Sequence, residues 1–445
     1  MAIRAVTTKP SFTNALLHIH RPQLQAYCSS RRRRSMSTPK IKVLISGAGI
    51  AGPCLAYWLS RARPNFSITI IERSATPRVT GQSIDIHGPA IEVVKRMKLD
   101  EAIRSCHTTE TGTRIFNSSG KPCAQFDAGD TFTAQYEILR ADLSQIFLEA
   151  TEGLDNVQYK YGDSIKSLDQ REKIVHVTFT GGSEETFDLV VAADGGTSRT
   201  RPMILDGEIL KDSYKSLGQY IAFFSIPSRP DDPKLWQIYN APKGLSVMTR
   251  PHRTPSTIGA YLCITKPARG QRDPVVDDAM TKGTEAQKRI LHEYFDNAGL
   301  EAKRVLDGMD KSEDFYMSLA AQVKLRKWTN GRAVVLGDAA WATFGVGTTL
   351  AIEGAYMLAG ELSKIQSGDD IPCALERYEE VFRPLYMKQE ELPPGFPQLA
   401  FPQTAWALTL LRSAMWFVSK TKIHKLLPSD PGLKWTLPDY DWVEI

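Results

Sequence analysis

The spacing of glycines near residue 50 suggests a phosphate-binding turn. Gly47, Gly49 and Gly52 form a Gly-x-Gly-x-x-Gly pattern between an apolar run and a helical run, and Glu72 follows 20 residues after Gly52. Glycines allow a tight turn and close approach of a pyrophosphate, and the helix that follows directs free N–H groups and its positive dipole end at the anion. A carboxylate at the position of Glu72 accepts from ribose hydroxyls and disfavours a 2′-phosphate. The pattern therefore predicts FAD or NAD at this turn and argues against NADP.

A second turn with polar side chains follows the apolar run 189–193. Asp194-Gly195 ends that run, and Ser198, Arg199 and Arg201 come shortly after it. Hydroxyl and guanidinium groups recognise phosphates and carboxylates, so these residues are candidates for anion binding. A strand end followed by a capped turn would give the same sequence, and that alternative stays open.

A third turn combines an acidic residue with the start of a long helix. Gly337-Asp338 follows the apolar run 333–336, and Gly347 and Thr348 open the next helical pattern. The carboxylate of Asp338 could accept hydrogen bonds from sugar or ribityl hydroxyls. The helix that begins near Thr348 would direct its positive end at an anionic group, such as the N1–C2 edge of a reduced flavin.

A parallel sheet is needed to position these three turns. Short apolar runs indicate buried strands, and amphipathic runs between them indicate helices. Strands are predicted at 41–46, 67–71, 157–161, 175–180, 187–192 and 333–336. Helices are predicted at 52–63, 89–97, 138–150 and 285–297, and a long helix that follows Gly337-Asp338 is predicted to end at Leu362. The middle of the chain differs, because short β-branched and aromatic runs alternate there with Pro- and Gly-rich turns. They predict a second, antiparallel sheet with strands at 220–226, 236–239, 245–249 and 258–264.

The net charge of +5 comes from a basic leader. Residues 1–40 hold eight Lys or Arg and no acidic residue, which leaves 47 basic and 50 acidic residues in the rest of the chain. A near-neutral body gives no reason to expect a nucleic-acid partner. The leader fits a mitochondrial transit peptide, a disordered basic tail, or a segment upstream of a start at Met36, and the three stay open. We expect a cytoplasmic protein, or a mitochondrial one if the leader is a transit peptide. The six cysteines lack metal-like spacing, so no metal site is predicted.

The most apolar stretch of the chain lies near its end, from Leu399 to Val418. Pro402, Gln403 and Arg412 interrupt it, so it falls short of a membrane-spanning helix. We expect it to pack against the body or to cover a pocket. The alternative is a monotopic membrane contact, which would use one set of aromatic and basic residues. These residues are Trp406, Trp416, Phe417, Lys420, Lys422 and Lys425.

The order of the three motifs resembles one enzyme family. A Gly-x-Gly-x-x-Gly turn with its Glu, an Arg within a helix, then Asp-Gly and Gly-Asp looks like the single-component, class A flavoprotein monooxygenases of the p-hydroxybenzoate hydroxylase fold, especially fungal members of secondary metabolism. The resemblance spans residues 41–390, and the terminal Leu437-Pro-Asp-Tyr440 also looks like that subgroup. It implies an α/β fold: a Rossmann-like FAD-binding domain with an inserted antiparallel-sheet substrate domain and C-terminal helices.

The resemblance also divides the chain into domains. Residues 1–40 are the leader. The FAD-binding domain is discontinuous and comprises 41–110, 135–205 and 325–370. Residues 111–134 and 206–324 form the substrate domain, and 371–445 form a C-terminal helical tail.

Carried over position by position, the resemblance implies a set of cofactor-binding residues. Glu72 would hold the adenosine ribose, Arg140 would lie close to the flavin, and Asp338 would hold the ribityl and pyrophosphate region. The Asp-Gly motif would serve both FAD and the nicotinamide cofactor. The full predicted set is Gly47, Gly49, Gly52, Glu72, Gly81, Gln82, Arg140, Asp194, Gly195, Gly337, Asp338, Gly347 and Thr348.

Three positions depart from the family pattern. Trp341 stands where many members have His after Gly-Asp-Ala-Ala, and the loop from Trp341 to Gly345 is about three residues short and lacks a Pro. His87 stands where close relatives often have Arg. These positions line or support the flavin pocket in the family, so they bear on flavin mobility and oxygen activation.

The implied activity is a monooxygenase reaction. FAD would be the resident cofactor, NAD(P)H a transient co-substrate, and O2 would be activated as a flavin hydroperoxide that hydroxylates or epoxidises a small aromatic or terpenoid metabolite. The second sheet would cover the substrate, with Arg250 and Tyr239 as candidates to polarise or deprotonate a phenol. Other candidates for the pocket are Tyr220, Phe223, Phe224, Trp236 and Asn240. Alternatives are a related reductase or halogenase, or a flavin-binding protein without catalysis; the oligomeric state is open.

Overall fold

The computed structural model describes residues 41–63, 65–77, 81–130, 136–426 and 436–444. The predictions for the leader at residues 1–40 lie outside these residues. The described residues cluster into one compact unit. Within it, a six-stranded sheet and a seven-stranded sheet carry most of the architecture, so the predicted α/β class is confirmed.

The six-stranded sheet has the order β17-β18-β11-β1-β2-β7. All neighbouring pairs are parallel except β17 and β18. Its central strands are continuous apolar runs with both faces covered, as expected for a parallel sheet. The strands are β1 (Ile41–Ser46), β2 (Phe66–Glu72), β7 (Val157–Tyr161), β11 (Leu189–Ala192), β17 (Thr329–Asn330) and β18 (Ala333–Val335).

The seven-stranded sheet joins an early hairpin to the middle of the chain, in the order β16-β12-β15-β14-β13-β4-β5. All its pairs are antiparallel except β13 with β4. Its strands are β4 (Gly112–Phe116), β5 (Pro122–Asp127), β12 (Tyr214–Pro227), β13 (Trp236–Ala241), β14 (Leu245–Pro251), β15 (Thr257–Thr265) and β16 (Tyr316–Val323). The sequence did not predict β16, and β12 is twice as long as the run that predicted it, because polar residues alternate along its first half.

Two small sheets complete the strands. The first pairs β3 (Ser83–Ile86) with β6 (Tyr136–Leu139), and the second contains β8 (Ile165–Arg171), β9 (Ile174–Phe179) and β10 (Glu184–Phe187). The predicted strand 187–192 is thus divided at Asp188. The strand after this break, β11, is the one that leads to the Asp-Gly turn.

The helices surround these sheets. In chain order they are α1 (Ala51–Leu59), α2 (Pro89–Arg96), α3 (Asp100–Ser105), α4 (Arg140–Glu152), α5 (Arg201–Ile204), α6 (Gly207–Leu210), α7 (Pro274–Thr281), α8 (Thr284–Phe295), α9 (Ala302–Lys311), α10 (Asp338–Trp341), α11 (Gly347–Leu362), α12 (Ile371–Gln389) and α13 (Ala405–Thr421). Short 3-10 turns lie at Gly368–Asp370 and Ile423–Leu426. The tail is helical only in part, because residues 436–444 contain no helix and pack Tyr440 and Trp442 against Tyr356 of α11.

Candidate flavin and substrate site

The turn after β1 is tightly packed on one side and open on the other. A Cβ on Gly47 would lie 2.4 Å from the carbonyl oxygen of Ala193, and one on Gly52 would lie 2.1 Å from that of Gly47. These glycines therefore let β1 turn directly into α1 beside the end of β11. A Cβ on Gly49 would meet nothing within 4 Å. The open side at Gly49 has the room that a pyrophosphate needs next to the backbone.

The carboxylate of Glu72 lies at the end of β2, beside this turn. Its Oε2 accepts from the backbone N–H of Ala48 at 3.1 Å, and its Oε1 accepts from that of Ser74 at 3.0 Å. Each carboxylate oxygen has a second acceptor site. Glu72 is thus held in place by the backbone and still has capacity for ribose hydroxyls.

The carboxylate of Asp194 organises its own loop. Its Oδ1 accepts from the Ser198 hydroxyl, and its Oδ2 accepts from the backbone N–H groups of Arg199 and Thr200 and from the Thr200 hydroxyl. Arg201 donates to the carbonyl oxygens of Gly196 and Ala339, at 3.1 and 3.0 Å. The expected anion-binding role for Ser198 and Arg201 does not match these contacts, because the capped-turn alternative accounts for both side chains. The next residue, Gly195, has a φ of +87° and open space around its Cβ position.

The third turn brings a free carboxylate to the start of a long helix. Gly337 has a φ of +63°, which turns β18 into α10 and places Asp338 at the first position of that helix. The Asp338 carboxylate has no hydrogen-bond partner among the residues that the structure describes. Its Oδ1 would lie 2.9 Å from a Cβ on Gly347, the first residue of α11. No side chain caps α11, so the N–H groups near Thr348 are available to a ligand.

Gly81, Gln82 and Arg140 meet where β3 pairs with β6. The N–H of Arg140 donates to the carbonyl oxygen of Gln82 at 3.0 Å, and a Cβ on Gly81 would lie 2.9 Å from the Cβ of Arg140. The Gln82 side chain accepts a hydrogen bond from the hydroxyl of Tyr316 on β16. The sequence prediction thus brought together residues that the fold places side by side, and Tyr316 links them to the second sheet.

The second sheet has two different faces. One face packs against α7, α8 and α9, and Tyr220, Phe224 and Tyr239 belong to that core. The hydroxyl of Tyr239 lies beside Gly299, beyond the end of α8. The predicted catalytic role of Tyr239 is therefore not supported, since its side chain points into the helical layer. The opposite face carries Phe223, Trp236 and Tyr261.

Arg250 is on this second face, but its guanidinium is already neutralised. Its Nε and one terminal nitrogen donate to both oxygens of Glu110, at 2.8 and 3.1 Å, and the latter nitrogen also donates to Glu137 at 2.7 Å. It also lies 4.4 Å above the ring of Trp236. Burial raises the pKa of Glu137 to about 7, against the opposing attraction of Arg250. Arg250 is thus the centre of a buried ion cluster, and direct polarisation of a substrate hydroxyl does not match its contacts.

A cleft lies between the Gly81-Gln82 segment and this face of the second sheet. It is narrow, with an accessible volume of about 10 Å³, and is lined in part by Phe223, His252, Tyr261 and Tyr316. The ring of Phe223 stacks on that of Tyr316 and meets that of Tyr261 edge-on, with centroids 5.0 and 5.1 Å apart. Tyr261 is 7% exposed, and its hydroxyl lies beside Ser83, although neither hydroxyl completes a hydrogen bond within the described chain. The Tyr261 hydroxyl therefore has capacity for a polar group of a ligand.

His252 presents a ring nitrogen to the same space. A Cβ on Gly259 would lie 2.9 Å from His252 Nε2 and 3.6 Å from the Tyr261 hydroxyl, so the two groups border one position. The other ring nitrogen, Nδ1, is 3.2 Å from Thr257 Oγ1. Burial, reinforced by the charge of Arg250 and opposed by Asp314, lowers the pKa of His252. Its ring is therefore neutral at pH 7, with an acceptor lone pair available at Nε2 when Nδ1 holds the proton.

The sequence analysis missed several groups on this face: Glu110, Glu137, His252, Tyr261 and Tyr316. Tyr261 is in the predicted strand 258–264, and the alternation of that strand would have placed it opposite Ala260 and Leu262. No local pattern points to Glu110 and Glu137, because their partner Arg250 is more than 100 residues away.

Two departures from the family pattern have structural explanations. Trp341 is fully buried in an aromatic cluster with Trp328 and Phe382, so it supports the turn at Asp338 from behind and does not line the cleft. The backbone N–H of His87 donates to Thr349 of α11 at 3.1 Å, while its side chain is exposed.

Comparisons with known proteins agree with this arrangement. Residues 40–391 match a family model described as an FAD binding domain. Monooxygenase CTB7 of Cercospora beticola is 35% identical over 424 residues, which cover 92% of this chain and 99% of that protein. FAD-dependent monooxygenase asL4 of Sarocladium schorii is 31% identical, with coverage of 90% and 98%.

Among solved structures, the crystal structure of tetracycline destructase Tet(51) is similar, with a TM-score of 0.71 and 29% identity. The similarity covers 90% of this chain and all of that chain. The open turn at Gly49, the unpartnered Asp338 carboxylate and the uncapped start of α11 fit a flavin dinucleotide. These findings confirm the predicted cofactor, and the chain belongs to the FAD-binding-domain family as an FAD-dependent monooxygenase.

Proposed function

We propose that this monooxygenase uses NAD(P)H and O2 to oxygenate a small organic substrate that carries a phenolic or enolic hydroxyl. A hydroxylated aromatic or polyketide-like metabolite fits this description. The two relatives named above are fungal monooxygenases, and the cleft offers one hydroxyl-recognising pair within aromatic walls. The proposal covers the co-substrates and the substrate class, which go beyond the family assignment.

The observation that carries the proposal is the pair formed by His252 and Tyr261. A phenolic oxygen between them would accept from the Tyr261 hydroxyl and donate to His252 Nε2. Transfer of its proton to His252 would leave a more electron-rich ring, which is the better nucleophile toward activated oxygen. The walls formed by Phe223 and Tyr316 would hold the ring flat and exclude water.

The cofactor-binding groups are proposed residue by residue. Glu72 would accept from the adenosine ribose, the turn at Gly47, Gly49 and Gly52 would receive the pyrophosphate, and Asp338 would accept from the ribityl chain. The start of α11 at Gly347 and Thr348 would stabilise negative charge on the isoalloxazine. Bound FAD supplies hydride acceptance and oxygen activation.

Gly81, Gln82 and Arg140 would border the ring, between the cofactor and the cleft. Gly337 would shape the third turn. Asp194 and Gly195 would shape the loop opposite the first turn, because the Asp194 carboxylate is already satisfied by that loop. The nicotinamide cofactor would bind only transiently, so it would need no second dinucleotide-binding fold.

The test is an anaerobic reduction assay on the purified full chain. We expect a yellow protein whose absorbance near 450 nm is bleached by NADPH or NADH and restored by air. Phenolic compounds should accelerate bleaching and yield hydroxylated products, whereas their O-methyl ethers should not. A yellow protein that no nicotinamide bleaches, with or without phenols, would show a flavin-binding protein without this catalysis. Equal turnover of phenols and their ethers would contradict the role of His252 and Tyr261.

A further inference from the structure

Exposed apolar side chains are concentrated around α13. The described chain has fourteen large apolar residues that are exposed, and seven of them lie between residues 399 and 426. Single exposed apolar residues are normal on a protein surface, but a contiguous group marks an interaction site. The seven are Leu399, Trp406, Leu410, Trp416, Phe417, Ile423 and Leu426.

The exposed residues of α13 form one stripe along the helix. Trp406, Leu410 and Phe417 are four and seven residues apart, which places them on the same face, and they are 71%, 65% and 52% exposed. The opposite face is fixed to the body. There Leu408 is buried, and Arg412 donates to the carbonyl oxygen of Asn240 on β13 at 2.6 Å.

A second set of contacts fixes the far end of α13. The hydroxyl of Ser419 donates to the carbonyl oxygen of Gln125 on β5 at 2.7 Å and accepts from the N–H of the same residue at 3.1 Å. The middle of α13 is therefore attached to β13 and its far end to the edge strand β5 of the second sheet. These contacts fix the rotation of α13 about its own axis. The stripe therefore faces away from the sheet.

The charges within the segment that carries the stripe have one sign. No Asp or Glu occurs from Leu392 to Ser429, whereas Arg412, Lys420, Lys422 and Lys425 fall in that interval. Lys425 pairs with Asp130, 3.2 Å away, on the turn after β5. Lys420 and Lys422, at the exposed end of the helix, have no ion-pair partner within the described residues.

We propose that α13 docks flat on an anionic lipid bilayer. Trp406, Leu410 and Phe417 would enter the headgroup region, and Lys420 and Lys422 would contact lipid phosphates. A spanning helix is not involved, because no helix in the described ranges is long and apolar enough to cross a membrane. A second copy of the chain paired through the same segment would cover the stripe but would bring no acidic group to the two lysines. The bilayer satisfies both the apolar and the basic groups.

Docking would bring the second sheet close to the lipid. Phe401, just before α13, packs against the same face of the sheet as Tyr261, and Asn240 donates to the carbonyl oxygen of Ala400 at 3.0 Å. An apolar substrate that partitions into the membrane would therefore be concentrated on the side of the molecule that holds the cleft. The docking proposal does not depend on which substrate the cleft accepts.

The test is vesicle co-sedimentation of the full chain. We compare phosphatidylcholine vesicles with vesicles that contain phosphatidylserine, at low and high salt. We expect binding to the anionic vesicles that weakens with salt, and a loss of about tenfold or more in the triple variant Trp406→Ser, Leu410→Ser, Phe417→Ser. Lys420→Glu with Lys422→Glu should remove the preference for phosphatidylserine.

A matched control replaces three exposed apolar residues elsewhere: Val275→Ser, Val381→Ser and Met387→Ser. This variant should bind vesicles like the parent chain. Flavin absorbance and thermal unfolding identify variants that remain folded. The proposal is overturned if the parent chain stays in the supernatant with anionic vesicles, or if the control loses as much binding as the α13 variant. It is also overturned if sedimentation velocity shows a dimer that the α13 substitutions dissociate and vesicles do not bind.

Discussion

Replacement of the buried carboxyl group of Glu353 should remove a pH dependence from the stability of the flavin domain. Glu353 is fully buried on α11, where Oε1 accepts from the N–H of Ala90 at 3.2 Å and Oε2 accepts from Gln389 at 2.8 Å. No cation is bonded to it within the described chain, and burial raises its pKa to about 8 from a usual value of 4.5. Glu353→Gln retains the shape and cannot ionise.

The sign follows from the proton count of the two states. Between pH 4.5 and 8 the folded protein holds a proton on Glu353 that the unfolded chain releases, so the free energy of unfolding falls as pH rises through that window. The slope is about 1.4 kcal/mol per pH unit, or roughly 3 to 5 kcal/mol over the whole window. The variant lacks this slope. Its stability relative to the parent should increase steadily from pH 5 to pH 8.

The assay is urea unfolding of both proteins at pH 5, 6, 7 and 8, followed by tryptophan fluorescence. Glu92→Gln, on the exposed surface of α2, serves as the control for loss of one negative charge. The Glu353 variant should differ from the parent by an amount that grows with pH, and the control by a small constant amount. Parallel stability curves for the Glu353 variant and the parent would refute the reasoning, because they would mean that Glu353 ionises normally in the folded protein.

Three further predictions concern the site. His252→Gln should lower kcat with a phenolic substrate by about 10² to 10⁴-fold and remove the acidic limb of the pH profile, while the flavin spectrum remains unchanged; stopped-flow kinetics from pH 5 to 9 measures this. Gly49→Ala should leave the melting temperature of the FAD-free protein unchanged and weaken FAD binding, whereas Gly52→Ala should destabilise the FAD-free protein itself; fluorescence titration with FAD and thermal unfolding separate the two. Arg250→Met should cost about 3 to 5 kcal/mol in urea unfolding, because Glu110 and Glu137 would remain buried without their cation; an unchanged midpoint would contradict the ion-cluster assignment.

The sequence predicted the flavin side of the molecule well because its signals are local. A strand, a glycine turn and a helix are continuous in the chain, so the positions of Gly47, Glu72 and Asp338 at the ends of strands followed from pattern alone. The same locality left two interpretations open for Ser198 and Arg201. Residues that cap a turn and residues that bind an anion have the same types and spacing, and only the partners of their hydrogen bonds distinguish them.

The substrate side was harder because a strand has two faces. Side chains alternate along a strand, so Ile238 and Tyr239 of β13 point to opposite faces of the second sheet. The sequence does not indicate which of these faces is turned toward the cofactor. That choice depends on where α7, α8 and α9 pack, about 50 residues further along the chain. For this reason Tyr239, which packs on the helical side of the sheet, was named as a candidate for the pocket, and Tyr261 was overlooked.

The buried ion cluster explains how the cleft can be both aromatic and polar. Arg250 is fixed by Glu110, which precedes β4, and by Glu137 on β6, so the cluster joins β14 to the strand that leads directly into Arg140. Burial lowers the pKa of His252 two residues away, with a smaller contribution in the same direction from the charge of Arg250, and the two carboxylates occupy the guanidinium of Arg250. A neutral His252 ring thus lies beside the Tyr261 hydroxyl, next to this cluster. Arg250 therefore acts mainly by holding these segments together beside the cleft, and burial keeps the His252 ring neutral.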